Sequence, residues 1–319
     1  MGNPLQPRVT KRTKVVSGVM VRPLIGVMVQ RSSLQEIRER TYKTSDAWWT
    51  VLLVDPVAAR LVRFVSPYRW ITPNLLTVLA TVLGLAAAAC FAMQDRWWLV
   101  AGALLFHVSF IVDCMDGKIA RLNGTGSMFG AWFDFMFDRL RVFICAVALF
   151  VGQYARTGST AYLWALIGVT FLDLFRYVNS QQMAKLRQSM RDQLSEARGP
   201  VPPPEAPDPA VQVMPHGPRA RLRHMLLSRR IRTHLVSGIE FEMTVFIIGP
   251  LTGWVIQTSV VAGALLLGFE LWLIFRLWQA TRAFPVALAK AHASAAMERA
   301  NPHLPVQDPA RDLTTAAKE

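Results

Sequence analysis

Six near-continuous apolar stretches, at roughly 73–93, 97–112, 142–153, 160–175, 241–256 and 258–275, constrain this chain more than any other feature. With flanking helical residues, each approaches the ~20 residues that an α-helix needs to cross a bilayer. Hydrocarbon offers backbone N–H and C=O groups no partners, so spans of this length must satisfy themselves as helices. The expected fold is an all-α membrane protein, a six-transmembrane-helix bundle. The average composition, 52% hydrophobic with a mean hydropathy of +0.29, would not establish this; the clustering does.

The formal charge is +14. Its distribution matters more than its sum, because cytoplasmic loops of membrane proteins collect Lys and Arg. The segment before the first apolar stretch, the insertion at 181–235 and the C-terminal tail carry nearly all of it. The turns near Gln94–Arg96 and Tyr154–Ser159 hold only Arg96 and Arg156. Both termini are therefore expected to face the cytoplasm, from a multi-pass position in the cell membrane. Basic segments beside anionic lipid gain about 1 kcal/mol per residue, which accounts for the charge without a nucleic-acid partner. Cys90, Cys114 and Cys145 lie within expected spans without metal-type spacing and read as small apolar fillers. The apolar run Val15–Val29 is broken by Arg22 and Pro23, so it does not read as a signal peptide.

Four parts follow. Residues 1–43 form a basic N-terminal extension, and 44–66 an N-terminal interfacial amphipathic helix beside the membrane. Asp55, Arg60 and Arg63 interrupt the latter as a span, while Trp48 and Trp49 favour the headgroup zone. Residues 67–282 form the six-span domain, with a cytoplasmic insertion at 181–235 that contains the Pro-rich run Pro202–Pro209. Residues 283–319 are a cytoplasmic tail, helical around Val286–Ala300. No internal repeat of the kind seen in many transporters is present.

Within the apolar surroundings the chain reads D-x2-D-G-x2-A-R-x8-G-x3-D-x3-D, at Asp113, Asp116, Gly117, Ala120, Arg121, Gly130, Asp134 and Asp138. One charged side chain at a helix centre costs about 2.5–3.5 kcal/mol on insertion scales, so four aspartates need cationic compensation. Asn123–Gly126 is a turn signal, which makes 97–121 and 128–153 an expected antiparallel hairpin. Residues facing each other across it sum to about 250, pairing Asp116 with Asp134 and Asp113 with Asp138. The cluster then lies roughly 12–14 Å from the turn at 1.5 Å per residue. An all-oxygen set suits Mg2+ or Mn2+, and two such ions would balance four carboxylates. A pair of divalent ions suits displacement at phosphorus. Gly117, Ala120 and Gly130 leave helix surfaces bare for a flat ligand, and Arg121 is placed to bind phosphate.

Plainer readings compete. Small residues on facing spans often serve close packing alone, and one Asp could be a structural partner of Arg121, Arg139 or Arg141. Glu240 and Glu242 read first as a helix start, and second as groups orienting an acceptor or an arginine. His107 reads as a bundle histidine with its hydrogen bonds satisfied. All eight fixed positions together are harder to dismiss: at residue frequencies of roughly 5–8% each, a chance match is well under about one in a million.

These eight residues resemble the signature of the CDP-alcohol phosphotransferases, also called CDP-alcohol phosphatidyltransferases, and the resemblance extends over roughly 70–282. Pro73-Asn74-x2-Thr77 is similar to the family's weaker P-N-x-x-T entry to its first span. The resemblance implies a homodimeric six-helix membrane enzyme of phospholipid biosynthesis. Such an enzyme transfers a phospho-alcohol group from a CDP-linked donor, such as CDP-diacylglycerol, to an acceptor hydroxyl and releases CMP. It implies that Asp113, Asp116 and Asp134 ligate two metal ions, and that Asp138 touches one and acts as general base. Asn74, Thr77, Gly117, Ala120, Arg121, Ser127 and Gly130 would form the CDP site. Members using a phosphorylated polyol carry a basic Y-x-[KR]-A-R-A-E-like segment after the fourth span, which Tyr177–Met183 lacks. Arg139, Arg141 and Arg176 are the candidates to replace it around an alcohol or polyol phosphate acceptor. A cation-coupled transporter would spread its acids along a route, and a UbiA-like prenyltransferase would place its two acidic motifs on well-separated helices; neither matches acids gathered on one hairpin.

Overall fold

The structure, a computed structural model, describes residues 33–68, 70–199, 218–232 and 236–300. Most of the basic extension 1–43, the run Pro202–Pro209 and the tail beyond residue 300 lie outside the described residues. In chain order the helices are α1 (Leu34–Thr41), α2 (Asp55–Val65, entered through a π-helical turn at Thr50–Val54), α3 (Pro73–Met93), α4 (Arg96–Asn123) and α5 (Met128–Thr157). Then come α6 (Ala161–Arg198), α7 (Pro218–Ser228), α8 (Gly238–Met243), a second π-helical turn at Thr244–Ile248, α9 (Gly249–Thr252) and α10 (Val255–Ala300). No strand occurs among the described residues beyond one isolated bridge, Asp46 to Ile231.

Among the described residues, four helices are long and apolar enough to cross a membrane: α3, α4, α6 and the Val255–Met297 stretch of α10. The other two expected spans differ in kind. Helix α5 has the length, at 30 residues, but carries Asp134, Asp138, Arg139 and Arg141 along its inner side. The stretch 238–252 is broken into α8, a π-helical turn and α9, each short by itself.

Helix α3 begins where Thr72 accepts a hydrogen bond from the Leu75 N–H at 3.3 Å, with Pro73 at the first helical position. Its small residues decide the packing. A Cβ on Gly102 of α4 would lie 2.7 Å from the Phe91 ring, so that glycine lets α3 and α4 approach closely. The Ser109 hydroxyl donates to the Ala80 carbonyl at 2.7 Å across the same seam. Helix α3 packs along both α4 and α5, whereas α4 and α5 make little backbone contact with each other. The expected direct hairpin is therefore corrected. The turn forms, with Gly124 left-handed at φ 65° and Ser127 capping α5, but α3 wedges the two helices apart and leaves a gap between their acidic faces.

Helices α6 and α10 pack on each other. At 38 and 46 residues they reach about 57 and 69 Å, well beyond the ~30 Å of a bilayer core, so both project from it. The first part of the expected insertion, to Arg198, is thus a continuation of α6. On α5 the exposed row Phe129, Trp132, Met136, Leu140 and Phe143 follows a three–four spacing, as does Trp164, Ile167, Phe171, Leu174 and Val178 on α6. Apolar stripes of this length suit contact with lipid.

Within residues 44–66, Asp55, read from the sequence as an interruption of a span, is 3% exposed, with Lys118 Nζ at 2.8 Å from one carboxylate oxygen and Arg230 Nη2 at 3.1 Å from the other. Helix α2 packs on α4 through Ala58, Ala59 and Val62. The Trp49 ring meets His107 edge-on at 6.0 Å between centroids. His107 Nδ1 has no hydrogen-bond partner, so the satisfied histidine expected there is not found. Breaking a buried ion pair by removing one partner costs about 3–5 kcal/mol. Lys118→Met, which keeps the stem and deletes the charge, is accordingly expected to lower the thermal midpoint of the detergent-solubilised protein by several degrees, read from the loss of its monodisperse peak after heating.

Candidate active site

Three of the four signature carboxylates converge across the gap. One oxygen each from Asp113, Asp116 and Asp134 lies within 4.8 Å of the others. The i, i+3 spacing puts Asp113 and Asp116 on one face of α4, and Asp134 reaches them from α5. Thr77 of α3 donates its hydroxyl to Asp116 Oδ2 at 2.6 Å, so the wedge helix also orients an acid. Among the described residues neither Asp116 nor Asp134 is ion-paired to a Lys or Arg, and Asp116 is 6% exposed. Carboxylates this close and this secluded repel unless a cation joins them. An all-oxygen set of this kind fits a hard divalent ion.

Asp138 stands apart from this trio. Its two oxygens are held by the Arg139 and Arg141 guanidinium groups. Arg141 also reaches Asp113 Oδ1 at 3.1 Å and Ser109 Oγ at 3.2 Å. Arg139 binds Asp173 of α6 at 2.7 Å and Glu242 of α8 at 3.0 Å, and lies 4.0 Å over the Tyr177 ring. Two of the three arginines proposed for an acceptor, Arg139 and Arg141, are thus committed to carboxylates. Arg176 is different: it has no ion pair among the described contacts, its Nε has no hydrogen-bond partner, and its guanidinium lies against Gly238, where a Cβ would come within 2.7 Å. Glu242 serves the second of its two readings, by binding an arginine. Glu240 accepts from the Trp48 N–H at 3.1 Å and from the Ser237 hydroxyl.

At the turn end of the gap lies a cavity of about 510 Å3. Its walls include Asn74, Thr77, Asp116, Gly117, Ala120, Arg121, Ser127, Gly130 and Asp134. The Arg121 guanidinium lies over the bare surface of Gly117, 3.5 Å from where a Cβ would stand. At Gly130 a Cβ would sit 3.0 Å from Ser127 Oγ and 3.3 Å from Asn74 Oδ1, crowding both. Ser127 has a second task, since its hydroxyl accepts the Gly130 N–H at 2.9 Å and caps α5.

Sequence reasoning missed several members. Asp173 is an acid inside an apolar run, a signal that was available. Gly84 gave none, being one small residue in a span rich in them, yet a Cβ there would meet Arg141 Cγ and Cδ at 2.4 Å. The buried Arg141 side chain passes through the space that Gly84 leaves. Gly84→Ala should push Arg141 off Asp113 and Asp138; because breaking a buried ion pair costs about 3–5 kcal/mol, the expected outcome is a fall of several degrees in the thermal midpoint of the detergent-solubilised protein, read from its monodisperse peak after heating.

Residues 70–198 match the family model described as CDP-alcohol phosphatidyltransferase. The archaetidylinositol phosphate synthase of Pyrococcus horikoshii is 39% identical over 70 residues, 22% of this chain and 36% of that protein. The CDP-diacylglycerol–glycerol-3-phosphate 3-phosphatidyltransferase of Cereibacter sphaeroides is 36% identical over 112 residues, 34% of this chain and 47% of that one. The phosphatidylinositol phosphate synthase of Mycolicibacterium smegmatis is 33% identical over 91 residues, 28% of this chain and 37% of that one. These matches span less than half of each relative's length. The matched region, residues 70–198, holds the eight-residue signature and the converging carboxylates.

Proposed function

We propose that this protein is an integral membrane enzyme of phospholipid biosynthesis that transfers a phosphatidyl group from a CDP-linked donor to an acceptor hydroxyl and releases CMP. The observation that carries the reading is one cavity in which Arg121, the bare surfaces of Gly117, Ala120 and Gly130, and two acids without cationic partners among the described residues meet. CDP-diacylglycerol is the donor we assign, in keeping with the name of the Cereibacter relative. The acceptor is an alcohol or polyol phosphate, as the names of the relatives suggest.

In this reading Asp113, Asp116 and Asp134 hold two Mg2+ or Mn2+ ions, with Asp138 at the edge of one. Bound there, the ions would neutralise the donor's pyrophosphate and make CMP a competent leaving group. The chain's own residues do the rest. Asn74, Gly117, Ala120, Ser127 and Gly130 form the floor for the cytidine, and Arg121 pairs with the pyrophosphate. Thr77 fixes the Asp116 rotamer. The acceptor oxygen bonds to the phosphorus of the phosphatidyl group as the bond to CMP breaks, and the electron pair leaves with CMP. Asp138 takes the acceptor's proton. A carboxylate has about four lone-pair positions; two go to Arg139 and Arg141, which aim the group, and the others remain for the hydroxyl. Arg176, without an ion pair, is assigned to the acceptor's anionic group; Arg139 and Arg141 then support that side by holding Asp138, Asp173 and Glu242 in place.

We further infer six spans, counting α5 and the 238–252 stretch, because Asp138, Arg139 and Arg141 of α5 pair inside the bundle, Asp134 lines the cavity, and none of them need meet lipid. The basic segments outside the apolar stretches favour a cell-membrane orientation with termini and site toward the cytoplasm. A homodimer and an interfacial placement of 44–66 complete the proposal.

Asp138→Asn is expected to cut CMP release by at least about a thousandfold while CDP-diacylglycerol binding stays within about threefold, as general-base removal from an intact site requires. CMP release at the wild-type rate by that variant would remove Asp138 from its role. Arg176→Ala should raise KM for a polyol phosphate by about tenfold or more, with donor KM unchanged, when both are varied in initial-rate assays.

A further inference from the structure

Two parts of the chain outside the family match converge on Arg121. Helix α1 docks on α4 with Ile37 and Thr41 fully buried. The Thr41 carbonyl, at the last residue of α1, accepts a hydrogen bond from Arg121 Nε at 2.8 Å. Guanidinium has five N–H donors, and this contact uses only the Nε one. Among the described residues the Nη1 and Nη2 groups, lying over Gly117, have no hydrogen-bond partner and can meet a phosphate in the cavity. An eight-residue helix is unstable alone, so something must hold α1 in place.

Arg230, just beyond α7, does so. Its Nε donates to the Lys43 carbonyl at 2.9 Å, its Nη2 reaches Asp55 at 3.1 Å, and its guanidinium lies 4.1 Å over the Tyr42 ring. Its backbone carbonyl accepts the Asp46 N–H at 2.8 Å, and the next-but-one residue, Arg232, donates its N–H to Asp46 O at 2.9 Å. Tyr42 donates its hydroxyl to the Asp55 carbonyl at 3.1 Å. Asp55 is tied in turn to Lys118, one turn of α4 from Arg121. Arg230 also has φ 63°, a left-handed backbone that a residue with a Cβ rarely adopts. A strained non-glycine residue persists where its surroundings over-determine it, as these four contacts of Arg230 do here.

We propose that Arg230 is a positioning residue for the donor site: it clasps residues 42–46, which seats α1, whose terminal carbonyl then orients Arg121 toward the donor's pyrophosphate. The segment before α2 and the end of the 181–235 insertion thereby become part of one donor-binding device. This inference rests on the reading of Arg121 as the phosphate contact.

The test uses the full-length protein in detergent or nanodiscs, with initial rates of CMP release from CDP-diacylglycerol. Arg230→Gln should raise the donor KM by about tenfold, leave kcat and acceptor KM within about twofold, and Arg230→Lys should fall between it and the wild type. In an Arg121→Ala background, Arg230→Gln should add nothing, because residues acting through one contact are not additive. An unchanged donor KM in Arg230→Gln, or a further loss of the same size in the Arg121→Ala background, overturns the proposal. Should Arg230→Gln not yield folded protein, Arg230→Lys carries the same comparison. If the wild type releases no CMP from any CDP donor, the proposed function fails instead, and binding of CDP-diacylglycerol by the two variants still reports on the clasp.

Discussion

The carboxylates at the centre of this bundle must be compensated within a few ångströms, because a surrounding of apolar helices and lipid screens nothing. Two kinds of compensation divide the acids. Asp138, Asp173 and Glu242 are gathered by Arg139, and Asp113 and Asp138 by Arg141. Among the described residues Asp116 and Asp134 have no such partners, at the wall of the cavity. The first group ties α5 to α6 and α8 and gives the interior its shape. The second group retains unmet demand for positive charge, which is the property a cation and pyrophosphate site needs.

Helix α3 makes that division possible. By packing on both α4 and α5 it keeps their acidic faces separated by a gap rather than in contact. Its residues also serve the interior directly: Thr77 binds Asp116, Ala80 receives Ser109, and the missing side chain of Gly84 admits Arg141. A single helix of small residues thus sets both the width of the site and the orientation of its charges. Burying a guanidinium as fully as Arg141 is tolerable only because its ion pairs and a hydroxyl surround it. The clasp at Arg230 extends the same logic to the turn end, where Asp55 and Lys118 form a second, separate buried pair.

Much was legible in the linear order of residues. Helical character followed from apolar runs of sufficient length, because lipid leaves the backbone no other choice. The spacing of Asp113, Asp116 and Asp134 about a turn at Asn123–Gly126 was enough to bring those three toward one another, since helical periodicity and antiparallel reversal are local rules. Bare positions at Gly117 and Gly130 could be read the same way. Less could be said of Asp138: its spacing matched, and a pairing of one Asp with Arg139 or Arg141 was among the plainer readings, but nothing local shows which acid those arginines would claim. The buried pairing of Asp55 was not legible for a related reason, as its partners Lys118 and Arg230 are distant in sequence.

The sequence by itself determined the helices, their reversal near residue 125 and the convergence of three acids, because each depends on periodicity within one or two adjacent segments. Tertiary structure alone decided that α3 would part α4 from α5, that Gly84 would make room for Arg141, which acids would keep a cationic partner, and that Thr41 and Arg230 would meet the signature from outside it. Those outcomes depend on which side chains share a volume once distant segments pack, and no local rule carries that information.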